Sequence, residues 1–171
     1  MKLQPQHISG LVVGEGCFYA ESCRDPKYRS GWRIRPAFCI EMRHEEREVL
    51  EEVARLLGCG RIYHLDFGRY RGYETKGWES HVKLRVSNLR DLHELILPFF
   101  RKHELFGRKR LAFEVFAELV ELLHARKHLS PTGLEECKAV AARLAGHNQR
   151  GRSTRKCSDL TASSGSAEAP H

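Results

Sequence analysis

The chain has 171 residues, 41% of them hydrophobic and 30% charged, with 29 Lys and Arg against 22 Asp and Glu for a net charge of +7. That size and apolar content suit one compact domain with a sizeable core, and the basic surplus favours a polyanionic partner. No apolar stretch approaches the roughly 20 residues of a membrane span, and the N-terminus lacks the apolar centre of a signal peptide, so the expectation is an intracellular protein with no membrane partner.

The first predicted element is a short helix over 4–13, with Pro5 in its first turn. Gly10 and Gly14 lie four apart on it, a spacing that lets a second helix approach closely. Two glycines weaken an isolated helix by about 1 kcal/mol each, so a tight helix–helix contact gives them a purpose. Glu15 follows, a lone carboxylate between Gly14 and Gly16. Residues 17–23 and 33–43 read as strands. In the second, Ile34, Phe38, Ile40 and Met42 alternate with Arg33, Arg35, Ala37, Cys39, Glu41 and Arg43, the period of a half-buried antiparallel sheet. Pro36 points to a local edge or bulge. The turn between them, from Arg24 to Trp32, holds Lys27, Tyr28 and Arg29.

Residues 45–57 form an amphipathic helix with Val49, Leu50, Val53, Ala54, Leu56 and Leu57 on one stripe, ended by Gly58. A third strand is expected over 61–66. A loop rich in Gly, Tyr and Arg, carrying Arg69, Arg71 and Lys76, spans 67–77, and a fourth strand covers 79–87 with His81, Lys83 and Arg85 alternating with Val82, Leu84 and Val86. A helix from Leu89 is expected to stop before Pro98. A long helix over about 107–126 and a last one opened by Ser130-Pro131 complete the domain, set at 1–147. Beyond it, 148–171 is a basic, Ser-rich tail too poor in apolar residues to fold.

The six cysteines make no C-x-x-C pair, which argues against a zinc knuckle and for reduced thiols. His124 and His128 lack the intervening acid of a zinc protease and read as solvated or capping residues.

Ile8-Ser9-Gly10-Leu11-Val12-Val13-Gly14-Glu15-Gly16 resembles the signature helix of the LAGLIDADG homing endonucleases. Ala37-Phe38-Cys39-Ile40-Glu41, the Leu56-Leu57-Gly58-Cys59-Gly60-Arg61-Ile62 run, Pro98-Phe99-Phe100 and Gly107-Arg108-Lys109-Arg110 extend the similarity over about 5–145. It implies an α+β fold of order αββαββα, with an antiparallel saddle-shaped sheet and extra C-terminal helices. With no second copy of the motif, it implies a homodimer whose two-fold axis runs between paired 4–14 helices, with Ile8, Ser9, Gly10, Leu11, Val13 and Gly14 at the interface. Each copy would bring one acid to a site that hydrolyses phosphodiesters of double-stranded DNA at a long near-palindromic target, leaving 3′ overhangs, in intron or intein homing.

The resemblance assigns metal binding to Glu15 and the Gly14 carbonyl, with Mg²⁺ (or Mn²⁺) as cofactor; such ions prefer oxygen ligands and keep places for phosphate and water. It puts a basic catalytic residue beside the scissile phosphate, at Lys109 or Arg108. DNA contacts fall to Tyr19, Glu21, Arg33, Arg35, Glu41, Arg43, Arg61, Tyr63, Lys83 and Arg85 on the strands and to Lys27, Tyr28, Arg29, Arg69, Arg71 and Lys76 on the loops. Two positions depart from the family pattern: Val13 stands where the motif usually has its first Asp, and Met42 where a polar residue usually orders solvent. An RNA-binding intron maturase, a non-catalytic DNA-binding protein of the same fold, and a basic scaffold that binds no nucleic acid stay open as alternatives. The expected location is with the host genome, in a bacterial cytoplasm or nucleoid or an organelle.

Overall fold

The computed structural model describes residues 3–66 and 79–149. In chain order these form α1 (Pro5–Glu15), β1 (Gly16–Arg24), β2 (Trp32–Arg43), a 3-10 turn (His44–Glu46), α2 (Arg47–Leu57), β3 (Arg61–Leu65), β4 (His81–Val86), α3 (Leu89–Asp91), a π-helical turn (Leu92–Ile96), α4 (Leu97–Lys102), α5 (Gly107–His124), a second 3-10 turn (Lys127–Leu129) and α6 (Pro131–Gln149). The strands make one antiparallel sheet in the order β1-β2-β4-β3. The αββαββα order expected from the sequence is the order observed, as is the antiparallel sheet.

Alternation decides which face the helices cover. Val82, Leu84 and Val86 are buried, as are Phe18, Phe38 and Ile40 on the neighbouring strands, and they meet Ile8 and Val12 of α1, Leu50, Val53 and Leu57 of α2, and Phe113, Phe116 and Val120 of α5. Phe18 is the centre of this core. Its ring lies 5.1 Å from Phe38, 5.6 Å from Phe100, 5.4 Å from Phe113 and 5.1 Å from Phe116, in the offset and edge-on arrangements that aromatic quadrupoles favour. Gly58 ends α2 in the left-handed conformation at φ 70°, which costs a glycine nothing.

Three expectations are corrected. Helix does not stop before Pro98. The π turn intervenes, with the Leu97 amide bonded to the Leu92 carbonyl, and this wider turn relieves the clash a proline makes with a regular helix behind it, so the helical path continues to Lys102. Ala37 and Cys39 are buried although they share the polar face of β2, because they are short and stand between longer neighbours: Tyr19 opposite Ala37, Arg85 opposite Cys39. Finally, α6 runs to Gln149, past the boundary set at 147. Asn148 donates its side-chain amide to the Phe18 carbonyl at 2.8 Å, so α6 is fastened to the outer side of β1, while β3 forms the other edge. The rest of the expected tail, and Arg69, Arg71 and Lys76, lie outside the described residues.

Pro36 falls in the part of β2 that pairs with β1 alone, beyond the last β4 partner at Phe38, as a strand proline requires. None of the described cysteines is in a disulfide. Among the described residues no helix is long and apolar enough to cross a membrane.

Candidate nucleic-acid interface and reaction centre

The face of the sheet away from the helices is set by register. Cys17, Tyr19, Glu21 and Cys23 stand opposite Cys39, Ala37, Arg35 and Arg33. Cys39, Glu41 and Arg43 stand opposite Arg85, Lys83 and His81, and Arg61 and Tyr63 opposite Arg85 and Lys83. Directly opposed residues share a face, so every strand residue expected to contact DNA lies on this one surface. A slip of a single residue would have sent them all into the core.

Six of those residues are basic (Arg33, Arg35, Arg43, Arg61, Lys83, Arg85) and two are acids. Glu41 is held by Lys83 at 2.8 Å and His81 at 3.2 Å. Burial alone would raise its carboxyl, but these two partners outweigh it and hold the group below the usual carboxylate range. Each Glu41 oxygen is therefore engaged within the protein, Oε1 by His81 and Oε2 by Lys83, which holds these two side chains together on the sheet face. Glu21 takes Arg85 at 3.1 Å, and the same guanidinium lies over the Tyr19 ring at 5.9 Å. Burial pushes the Tyr19 phenol up to about 12, so it stays a neutral donor. The Nε atoms of Arg33 and Arg85 are shielded from solvent without a hydrogen-bond partner. Above it, the turn closes on itself through Asp25 N to Gly31 O at 3.0 Å. It presents Lys27, Tyr28 and Arg29 outward, with Tyr28 accepting from Arg35 at 3.1 Å. His81 was not singled out from the sequence; its place in the alternation of β4 was the available signal.

Glu15 is the last residue of α1 and is exposed. A helix C-terminus carries partial negative charge, and α1 has no basic residue in its last turn. The cation comes from elsewhere in the chain: Lys109, near the start of α5, donates its ammonium to the Gly16 carbonyl. Two of the residues named for catalysis, 94 positions apart by number (109 minus 15), are thus brought to one place. Arg108 is exposed on the same turn of α5 and makes no such bond to Gly16 among the described contacts.

A divalent ion fits this corner on the chemistry of its donors. A carboxylate and backbone carbonyls are hard oxygen ligands of the kind Mg²⁺ prefers, and a cation there offsets both Glu15 and the helix end. Among the described residues no group of three or more His, Cys, Asp and Glu is gathered for metal binding. An ion held here therefore takes its further oxygens from beyond the side chains of the described residues.

On α1, the interface expectation is narrowed. Ile8 is fully buried and Ser9 nearly so, with the Ser9 hydroxyl donating to the His103 carbonyl at 2.9 Å; both serve the protomer's own core. Gly10 and Gly14 are exposed with open space where a side chain would project, and Leu11 and Val13 are half-buried beside them. His124 stacks on His93 at 3.7 Å, and His128 is kept low in pKa by burial and by Arg126.

Comparison with known proteins bears on the family and the fold. A relative in Neurospora crassa named probable intron-encoded endonuclease 2 is 28% identical over 135 residues, covering 78% of this chain and 27% of its own. Probable intron-encoded DNA endonuclease 1 of Mycosarcoma maydis is 31% identical over 106 residues, 61% of this chain and 32% of its own. The chain thus spans roughly a quarter to a third of the length of these curated relatives. Among solved structures, the homing endonuclease I-TnaI is 25% identical with a TM-score of 0.71, covering 89% of this chain and 100% of that one. I-SmaMI, bound to an uncleaved DNA target in the presence of calcium ions, is 26% identical with a TM-score of 0.73, covering 84% of this chain and 45% of that one. The profile of the LAGLIDADG endonucleases matches residues 8–120, and the chain therefore belongs to the LAGLIDADG homing endonuclease family.

Proposed function

We propose that two copies of this chain form a site-specific endonuclease that hydrolyses double-stranded DNA at a long near-palindromic target and leaves 3′ overhangs. The observation that carries this reading is the meeting of Lys109 with the Glu15–Gly16 end of α1, where β1 opens onto the basic sheet face. The chain matches all of I-TnaI but 45% of I-SmaMI, which supports a second copy as the other half of the assembly. The exposed Gly10–Gly14 face of α1, flanked by Leu11 and Val13, is the surface we assign to that contact.

In this reading Tyr19, Arg33, Arg35, Arg43, Arg61, Lys83 and Arg85 bind the duplex, with Glu21 and Glu41 holding two of the cations in place. Lys27, Tyr28 and Arg29 reach backbone phosphates from the turn, and we assign Arg69, Arg71 and Lys76 to the same task from the sequence. Glu15 and the Gly14 carbonyl hold a divalent ion, Mg²⁺ or Mn²⁺, which when bound supplies charge neutralisation at the phosphate and a more acidic water. Lys109 keeps a positive charge beside that corner and favours the extra negative charge of the transition state. With Val13 in place of the family's first Asp, Glu15 is the one carboxylate beside the Gly14 carbonyl in each copy. The place of action is wherever the host genome lies, a bacterial nucleoid or an organelle.

The test is a cleavage selection. Protein is incubated with a randomised near-palindromic DNA pool, with Mg²⁺ or with EDTA, beside a Glu15→Gln variant, and new ends are sequenced. Mg²⁺-dependent cuts with short 3′ overhangs at one motif, absent in the variant, are expected. Binding without cutting moves the reading to a maturase or a DNA-binding protein of the same fold.

A further inference from the structure

Cys17 and Cys39 stand directly opposite each other across β1 and β2. Both project from the sheet face that carries Tyr19, Lys83 and Arg85. Cys17 is half-buried, Cys39 is 6% exposed, and their thiols hydrogen-bond to each other. Among the described cysteines no other two are paired in register: Cys23 faces Arg33, Cys137 lies in the helical core and Cys59 follows α2. Opposed residues of an antiparallel pair sit about 4.5–5.5 Å apart at Cα, inside the roughly 4.4–6.8 Å that a disulfide spans.

We propose that Cys17 and Cys39 form a thiol–disulfide site, oxidised by peroxide and reopened by thiols, that disables the adjoining end of α1. The site itself stands on this geometry, and its effect on cleavage rests on the endonuclease reading. The two sulfurs have different parts. Cys17 is the more exposed of the two, so peroxide reaches it first and it is the nucleophile, with Cys39 the resolving partner. The Cys17 thiolate attacks one peroxide oxygen, the O–O bond breaks, and the departing hydroxide takes a proton to leave as water. The resulting sulfenic acid is attacked by the Cys39 sulfur, forming S–S, while the Cys39 proton and the sulfenic hydroxyl leave as a second water. Two thiols lose one electron each and the peroxide gains two.

The consequence follows from position. Cys17 adjoins Gly16, whose carbonyl holds Lys109, and lies two residues from Glu15. Closing the S–S bond brings the two sulfurs to about 2 Å, and the part of that approach that side-chain rotation does not absorb falls on the start of β1. Displacements of about 1 Å in a reaction centre cost about a hundredfold in rate.

The experiment treats the full chain with a few equivalents of hydrogen peroxide and digests it without reduction. A peptide pair linked through Cys17 and Cys39, two hydrogens lighter than the reduced pair and released by dithiothreitol, is expected. Cleavage by the oxidised protein is expected to fall about a hundredfold and to return with dithiothreitol, while Cys17→Ser and Cys39→Ser each keep their cleavage through the same treatment. No Cys17–Cys39 link, a link between two copies in its place, or a complete link with undiminished cleavage overturns the proposal. A reduced protein that cuts no DNA sinks the endonuclease reading and leaves the mapped link to decide the thiol site.

Discussion

Lys109→Met isolates the contact that joins α5 to the end of α1. Methionine keeps most of the aliphatic stem, so packing is largely preserved, and only the ammonium is lost. The bond to the Gly16 carbonyl is charge-assisted, a class that contributes about 1.5–3 kcal/mol. Against it stands the position of Lys109 in the first turn of α5, which holds no acid, where a cation opposes the helix dipole by about 0.3–1 kcal/mol. The net expectation is a loss of about 1–2 kcal/mol, which at about 2–4 °C per kcal/mol for a chain of this size lowers Tm by roughly 2–8 °C. Arg108→Ala supplies the contrast. It relieves the same dipole repulsion without breaking a bond to Gly16, so its Tm stays level or rises. Thermal unfolding followed by circular dichroism, in EDTA at low salt, separates the two. Equal losses for both variants, or none for Lys109→Met, would refute the claim that this lysine is a structural partner of the α1 terminus.

Phe18→Ala empties the centre of the aromatic cluster, and the full burial of Phe18 places the cost at about 3–5 kcal/mol, read as a lower urea midpoint. Gly10→Leu fills space that is open within the protomer and removes the roughly 1 kcal/mol that a mid-helix glycine costs, so sedimentation should show a monomer whose thermal midpoint, measured at concentrations where both proteins are monomeric, stands about 2–4 °C above that of the parent chain. Glu41→Gln tests the sign of a titration. The folded carboxyl lies below its ordinary 4.5, so its contribution is complete above that value and is lost as pH falls through the lower folded one. The variant's deficit in stability should therefore be largest near neutral pH and close as pH drops well below 4.5; a deficit that grows on acidification contradicts the ion pair.

What the sequence disclosed follows from which interactions are local. Val82, Leu84 and Val86 against His81, Lys83 and Arg85 fixed the facing of β4 because a strand with one wet face must alternate. The signature run located Glu15 at a helix end because glycines on both sides weaken the helix there and favour its ending. The contact of Lys109 with Gly16 was invisible as geometry, since it depends on how α5 crosses the start of β1. Ile8 and Ser9 were assigned to a surface because the resemblance places the whole helix at a two-fold axis, and the mixed run Pro5–Glu15 gives no clear stripe to orient it. The π turn before Pro98 was missed for a related reason: a proline rule describes the regular helix, and one wider turn satisfies it differently. Ala37 and Cys39 show the limit of alternation, which reports facing but not how far a neighbour's side chain leans over.

The two margins of the sheet bear on what the protein sticks to. An unpaired strand margin is a template on which another chain can polymerise. At β1 that template is occupied by α6, with Asn148 taking the Phe18 carbonyl. At β3 it is five residues long and exposes Arg61, Tyr63 and His64, too short and too polar for runaway strand addition. A protein concentrated along a polyanion is at constant risk of aggregation. With both margins blunted, solubility is protected, and in the proposed dimer self-recognition falls to helix α1 rather than to the backbone of the sheet.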